Sequence, residues 1–285
     1  MADVVLLPTG KMEHAGLVPA LSALFPEVEF VVEPPDEPLT GFTSTDVRRL
    51  PAPQEFTEVS ELAARLVAAV KPGRRGKRPT FAVAIDDLEL VNDPHPAEVI
   101  AYFRRAVIEH VERVWRPPAD ANSDFNLVRE CCSFHLFRPM TEAYFFGEPA
   151  ALQRASVQRP SQLVDGLDFE NFETTDSDYH ALPAKSVRIP DMPERQHHPK
   201  AYLNFLCDPT LTDKHRRYKE TKNGVAALGR LDWQQVLSSP SQCPFLRAFL
   251  DDLACAVGQK LDWLAQPESG LTIFPAKEPR ILRNI

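Results

Sequence analysis

The segment Phe81–Glu89, FAVAIDDLE, constrains the fold more than any other: an unbroken apolar run ends in three carboxylates within four positions. A run of this length, rich in β-formers and preceded by the Pro-containing basic stretch KPGRRGKRP at 71–79, predicts a strand buried on both faces. In open sheets built from such strands, the crevice beyond the carboxyl ends is where ligands and metals bind. Asp86, Asp87 and Glu89 fall there. Side chains alternate along a strand, so Asp87 and Glu89 share a face only if the extended form persists that far, with Asp86 opposite. Converging carboxylates repel, and a cation or basic group among them relieves that cost. The alternative is a solvated turn at a strand end.

Strand–helix alternation surrounds this run. Asp3–Leu7 reads as a first strand, PTGK as a turn, and Glu13–Leu24 as a helix with Leu17, Ala20, Leu21 and Leu24 at helical spacing. Val28–Val32 is a second short strand. The stretch 33–56, rich in Pro and turn formers, is too long for an ordinary connection and predicts a functional or covering loop. A helix follows at Val59–Val70. Past the acid-tipped strand, Val99, Phe103, Val107, Val111 and Val114 form one face of a long helix reaching Trp115, with Asp93 as its N-cap and Pro94 or Pro96 in the first turn. Glu130–Phe137 reads as a fourth strand with Cys131 and Cys132 on opposite faces, and MTEAYFFG as a short helix ending at Gly147. This alternation predicts an α/β domain over 1–155, with a mostly parallel sheet and flanking helices. An irregular connector over 156–196, packed in part through Phe169, Phe172 and Tyr179, leads to a helical C-terminal region over 197–285. Its expected helices are His198–Cys207, Tyr218–Leu228, a turn at LDWQQVL and Phe245–Leu264.

At 285 residues the chain has material for a sizeable core, and its net charge of −8 argues against a surface uniformly attractive to nucleic acid. Basic stretches are local: 73–78, 214–222 and 277–283. The densest gathers Lys214, His215, Arg216, Arg217, Lys219 and Lys222 beside Tyr218. It reads either as a solvated face or as a nucleic-acid contact through Arg216, Arg217 and Lys219, with Tyr218 free to stack on a base. No apolar run has bilayer length and the first residues lack signal-peptide character, so the expectation is a cytoplasmic protein with no membrane partner. Five scattered cysteines (Cys131, Cys132, Cys207, Cys243, Cys255) include no CxxC pair, so neither a disulfide framework nor a structural zinc site is indicated.

Three segments carry chemistry that could meet at one site: the turn from Pro8 through Lys11 and Glu13 to His14, the acid tip Asp86, Asp87 and Glu89, and His135 with Glu142 about the fourth strand's end. Carboxylates from separate strand ends suit Mg²⁺, which prefers oxygen ligands and often takes only a few from protein. Glu142 stands in PMTEAYFFG, where an apolar residue would cost less unless the carboxylate has a partner; a backbone N–H or Arg138 is the bland choice. His135 on an apolar strand reads first as a core histidine, and His197-His198 as a helix-start loop. TGK at 9–11 lacks the spacing of a phosphate-binding P-loop, and no GxSxG elbow occurs.

LLPTGKMEHAGLVPAL, then AIDDLE, then CCSFHLFRPMTEAYFFG resembles the order of motifs in Toprim-like domains. More narrowly, with HHPKAYLNFL and YKETKNGVAAL, the chain is similar to a bacterial Toprim-like family of unknown function, often encoded beside an ATPase in phage-defence loci. The resemblance implies Mg²⁺ or Mn²⁺ at Gly10, Glu13, Asp86, Asp87 and, more weakly, Glu142; the enzyme hypothesis has Asp86, Asp87 and Glu89 or Glu142 holding the ion and Lys11 meeting a phosphate. Glu13, Asp86 and Asp87 would then be catalytic in a metal-dependent nuclease acting on phosphodiesters, with an ATPase subunit and nucleic acid as partners and room for oligomers. Two departures stand out. Thr9 occupies the place of the family's Glu before the glycine, and DDLE replaces DxD. Threonine is a weak neutral ligand and no general base near neutral pH. These changes favour a second hypothesis, a degenerate module that binds the ATPase or nucleic acid without cutting; the retained acid cluster favours the enzyme.

Overall fold

The computed structural model describes residues 2–54, 56–71, 79–114, 121–183, 190–210, 212–213, 215–238, 242–264 and 281–285. At its centre lie four parallel strands, β1 (Ala2–Pro8), β2 (Val28–Val32), β3 (Phe81–Asp87) and β4 (Cys132–Phe137), in the order β2-β1-β3-β4. Helix α1 (Lys11–Leu24) joins β1 to β2, α2 (Glu58–Ala69) returns the chain to β3, and α3 (Pro96–Val114) with α4 (Ala121–Cys131) leads on to β4. The connections therefore run outward in opposite directions from β1 and β3. The gap between the carboxyl ends of these two strands is the sheet's topological switch point.

Strand alternation sorts the core into two layers. Val4, Leu6, Phe81, Val83, Ile85 and Phe137 face α1 and the later helices, while Leu7, Ala82, Ala84, Phe134 and Leu136 face α2 and α3. A strand covered on both sides has no polar face to show, which is why β3 reads as a continuous apolar run. On α3, Val99, Phe103, Val107 and Val111 are fully buried, whereas Val114 at its end is exposed. Trp115 and the basic stretch 73–78 lie outside the described residues. Phe103 stacks on Phe134 with ring centroids 4.0 Å apart and lies beside Phe42. Phe103→Ala is expected to cost about 3 kcal/mol in urea unfolding, toward the low end for an emptied aromatic site because the Phe42 ring can relax into the space. A cost under about 1 kcal/mol would show that this face is not core.

The region before β4 departs from expectation. Residues 121–131 are helical, so β4 begins at Cys132 rather than Glu130, and Cys131 and Cys132 sit at a helix end and a strand start instead of on opposite faces of one strand. The free edge of β4 is covered by residues 281–285. The Asn284 side chain accepts from Phe134 N (3.1 Å) and donates to Phe134 O (2.6 Å), and Arg283 N donates to Cys132 O (2.7 Å).

The remaining helices are α5 (Pro149–Arg154), α6 (Ser177–His180), α7 (Pro199–Cys207), α8 (Val225–Leu228), α9 (Trp233–Val236) and α10 (Pro244–Ala256). Helix α10 stops at Ala256, short of the expected Leu264; Leu246, Phe249, Leu250 and Leu253 are its buried stripe. Helices α7, α8 and α10 contribute to the same core layer as α1, together with Phe172 and Tyr179. Among the described residues no helix is long and apolar enough to cross a membrane.

Candidate functional site

A cleft of about 210 Å³ opens at the switch point. Its lining includes Thr9, Gly10 and Glu13 after β1, Thr40, Gly41, Thr43 and Ser44 from the long loop, Asp86, Asp87 and Glu89 after β3, and Glu142, Lys200 and Glu220. The loop 33–56 is thus a covering loop. Leu39, Phe42 and Val47 bury into the core layer beneath it. Asn92 pins it from below, accepting from Val47 N (3.0 Å) and donating to Thr43 O (2.6 Å) and Thr45 O (3.1 Å).

Each acid is positioned by a local device. Glu13 stands in the first turn of α1, and its carboxylate packs over Gly10, where any Cβ would overlap Oε2. Asp86 Oδ1 accepts from the Thr9 hydroxyl at 2.5 Å and presses on Gly41, where a Cβ would come within 2.7 Å. Asp87 Oδ1 accepts from Thr141 N (3.0 Å) and Thr141 Oγ1 (3.1 Å), capping the 3-10 turn Thr141–Gly147. Glu89 does not continue the strand. β3 ends at Asp87, and Glu89 takes φ 61°, a left-handed conformation that costs a non-glycine residue of order 1–2 kcal/mol and is characteristic of functional sites. Glu142 Oε1 accepts from the Tyr218 hydroxyl at 3.2 Å and lies 3.9 Å from Lys200 Nζ, while Lys200 Nζ is 2.5 Å from Glu220 Oε2.

Burial dominates the electrostatics. It pushes the Glu13 carboxyl up to about 7, helped by the Glu142 charge, and Glu89 to about 7 with the same neighbour. It lifts Asp86 to about 6 against the Thr9 hydrogen bond, and raises Asp87 well above the usual carboxylate range, with Glu13 and Glu89 adding repulsion. Glu142 is raised by burial too, and the Lys200 ammonium opposes this. Burial would lower Lys200, but Glu142 and Glu220 hold it above its ordinary value. Two buried oxygens, Glu13 Oε1 and Asp86 Oδ2, accept no hydrogen bond among the described residues. Among the described residues no group of three or more His, Cys, Asp or Glu side chains is gathered closely enough to hold a metal ion as it stands. An all-oxygen donor set with unclaimed buried lone pairs nevertheless fits a hard divalent cation.

Glu13, Asp86, Asp87, Glu89 and Glu142, all singled out in the sequence, line this one cleft. Lys11 does not; it lines an adjoining groove with Thr9, His14, Thr40, Gly41 and Thr221. Arg216 is exposed and lies 3.4 Å from Asp213; Lys219 is exposed and Arg217 partly buried. Lys214 and residues 277–280 lie outside the described residues. Tyr218 is buried with its hydroxyl bonded to Glu142, so base stacking is closed to it. His135 is drawn away, with Nε2 3.0 Å from Asp252 Oδ2 and its ring edge-on to Phe249. His197 Nδ1 is 3.0 Å from Phe172 O, and His198 Nδ1 accepts from Ala201 N at the start of α7. Glu142 partners Tyr218 and Lys200 rather than Arg138, which forms an ion pair with Asp93 at 2.6 Å. No sequence pattern points to Lys200 or Glu220. Pro199 marks a helix start, but nothing local shows where the next side chain points.

No family model, curated protein or solved structure matches the chain.

Proposed function

We propose that this chain is a Toprim-like subunit for divalent-cation-dependent phosphodiester chemistry, a nuclease-type activity exercised with an ATPase partner in phage defence. The observation that carries the reading is the meeting of Glu13, Asp86, Asp87, Glu89 and Glu142 in one cleft at the switch point, with two buried carboxylate oxygens unclaimed. Glu13, Asp86 and Asp87, with Glu89 and Glu142 beside them, would hold Mg²⁺ or Mn²⁺. Such an ion supplies Lewis acidity toward a phosphoryl oxygen and a more acidic bound water. The chain's own residues do the rest. Thr9 and Thr141 fix the rotamers of Asp86 and Asp87, Thr40, Gly41, Thr43 and Ser44 of the long loop close one side of the cleft, and Glu13 or a water on the ion would supply the base. The basic stretch Arg216, Arg217 and Lys219 runs directly into Glu220 of the cleft lining, which supports a nucleic-acid strand approaching from that side.

One observation favours the second reading, a module that binds without cutting. Thr9 stands where the resembled family has a carboxylate, and its hydroxyl is already committed to Asp86. Incubating the protein with end-labelled DNA and RNA in Mn²⁺, with and without chelator, separates the two. Cation-dependent cleavage is expected. Binding without cleavage would establish the module instead, and neither would sink both. Reversing Arg216, Arg217 and Lys219 to Glu is expected to weaken nucleic-acid binding and to make its salt dependence shallower by about one unit of slope per lost phosphate contact. Unchanged binding would remove this stretch from the interface.

A further inference from the structure

Lys200 enters the cleft from the first turn of α7, with Pro199 fixing the helix start and His198 capping it. It is the one cationic side chain among the described residues of the lining, set against the carboxylates of Glu13, Asp86, Asp87, Glu89, Glu142 and Glu220. Its side chain is 40% exposed, whereas that of Glu142, 3.9 Å from the ammonium, is 2% exposed. Glu220 holds it at 2.5 Å from a π-helical turn, Glu220–Gly224, that packs on α1. The Lys200–Glu220 pair is half-buried, and both side chains line the cleft.

The balance of charge gives it a task. A phosphodiester is an anion, and a cleft with six carboxylates repels it until cations arrive. A divalent ion held among the carboxylates would relieve that repulsion and, by its own charge, loosen the ammonium from Glu142 and Glu220. The lysine, a point charge with three donors on a flexible stem, can then turn from Glu220 to a phosphate oxygen. We propose that Lys200 is the phosphate-positioning residue of the cleft, held by Glu220 until a divalent cation has bound, so that cation and phosphodiester enter in that order. This rests on the reading of the cleft as a cation site for phosphodiester chemistry.

The test measures two ligands separately on the full chain: Mn²⁺ by calorimetry, and a fluorescein-labelled single-stranded DNA oligonucleotide by anisotropy in Ca²⁺, which allows binding while suppressing turnover. Lys200→Ala is expected to keep or tighten Mn²⁺ binding and to weaken oligonucleotide binding about tenfold, the usual worth of a charge-assisted hydrogen bond. Lys200→Arg should restore most of it. Glu220→Gln, which loosens the hold on the lysine, should tighten oligonucleotide binding, and omitting the divalent cation should abolish it in every variant. If Lys200→Ala binds both ligands as the wild type does, the proposal fails and the cation site stands. If Lys200→Ala loses Mn²⁺ binding together with thermal stability, Lys200 is only a structural counter-ion and the proposal fails. Absence of Mn²⁺ binding by the wild type would remove the cleft reading and this proposal with it.

Discussion

Replacing Asp86 and Asp87 together by Asn is expected to abolish Mn²⁺ binding and, at about pH 8, to raise the melting temperature of the chelated protein by several degrees. Both carboxylates are desolvated, and an amide at either position keeps an oxygen for the Thr9 or Thr141 donors, so the fold should survive. The sign of the stability effect follows from the direction of the shifts. Asp86 is raised to about 6 and Asp87 is raised too, so the folded state holds protons that the unfolded chain releases near pH 4. Stability from these groups is present at low pH and is lost as pH rises through the folded values. Once both are ionised they oppose folding, and for Asp86 alone the cost is on the order of 3 kcal/mol. The Asn pair removes that cost, so the variant's stability should change less between about pH 4 and about pH 8 than that of the wild type. Calorimetry with Mn²⁺ and melting curves across this range check both parts. An unchanged Mn²⁺ affinity would refute the metal site.

Glu170→Ala should be among the most damaging single substitutions in the chain, at about 5 kcal/mol. Helix α10 begins at Pro244 behind Cys243, whose side chain caps nothing. Its free N–H groups are met by Glu170 instead: Oε1 accepts from Leu246 N (2.8 Å) and from the Tyr144 hydroxyl (2.9 Å), and Oε2 from Phe245 N (3.0 Å). Alanine would leave three buried donors without this acceptor, each worth roughly 1–3 kcal/mol, at the positive end of a helix. Glu170→Gln is not expected to be neutral but should cost far less, since one acceptor oxygen remains. Burial pushes the Glu170 carboxyl up to about 8. Its stabilising contribution is therefore fully present below the unfolded value and declines as pH rises through about 8, a dependence that Glu170→Gln should flatten. Urea titrations of the three proteins at two pH values test this, and a loss under about 1 kcal/mol for the alanine variant would show that α10 is held some other way.

What could be read in advance follows the range of the interactions. The start of β3 was legible because burial on both faces writes itself into consecutive residues. The edge strand Val28–Val32 was legible as a short β-branched and aromatic run that buries Val28 and Phe30 on one face. Residues 121–131 were not, because ANSDFNLVREC is short and opens on Asn, Ser and Asp, which are poor helix formers, and Cys131 invited an early strand start. The acids were legible in position but not in direction. Alternation could bring Glu89 to the face of Asp87 only through a longer strand, whereas the chain uses a left-handed turn. Lys200 and Glu220 complete the cleft from far along the chain, with Tyr218 bonded to Glu142, and no local pattern encodes such an approach.

The cleft's walls come from the turn after β1, the long loop, the end of β3, Glu142, Lys200 and Glu220, so it cannot exist in any fragment of the chain that lacks one of them. Contacts so distant in sequence form late, after the entropy of closing long loops has been met. A ligand that recognises only the completed cleft binds the native state alone, and by mass action it stabilises strands and remote helices together. Occupancy of the cleft would thereby couple the integrity of the π-helical turn at Glu220–Gly224 to that of the first strand, more than two hundred residues earlier.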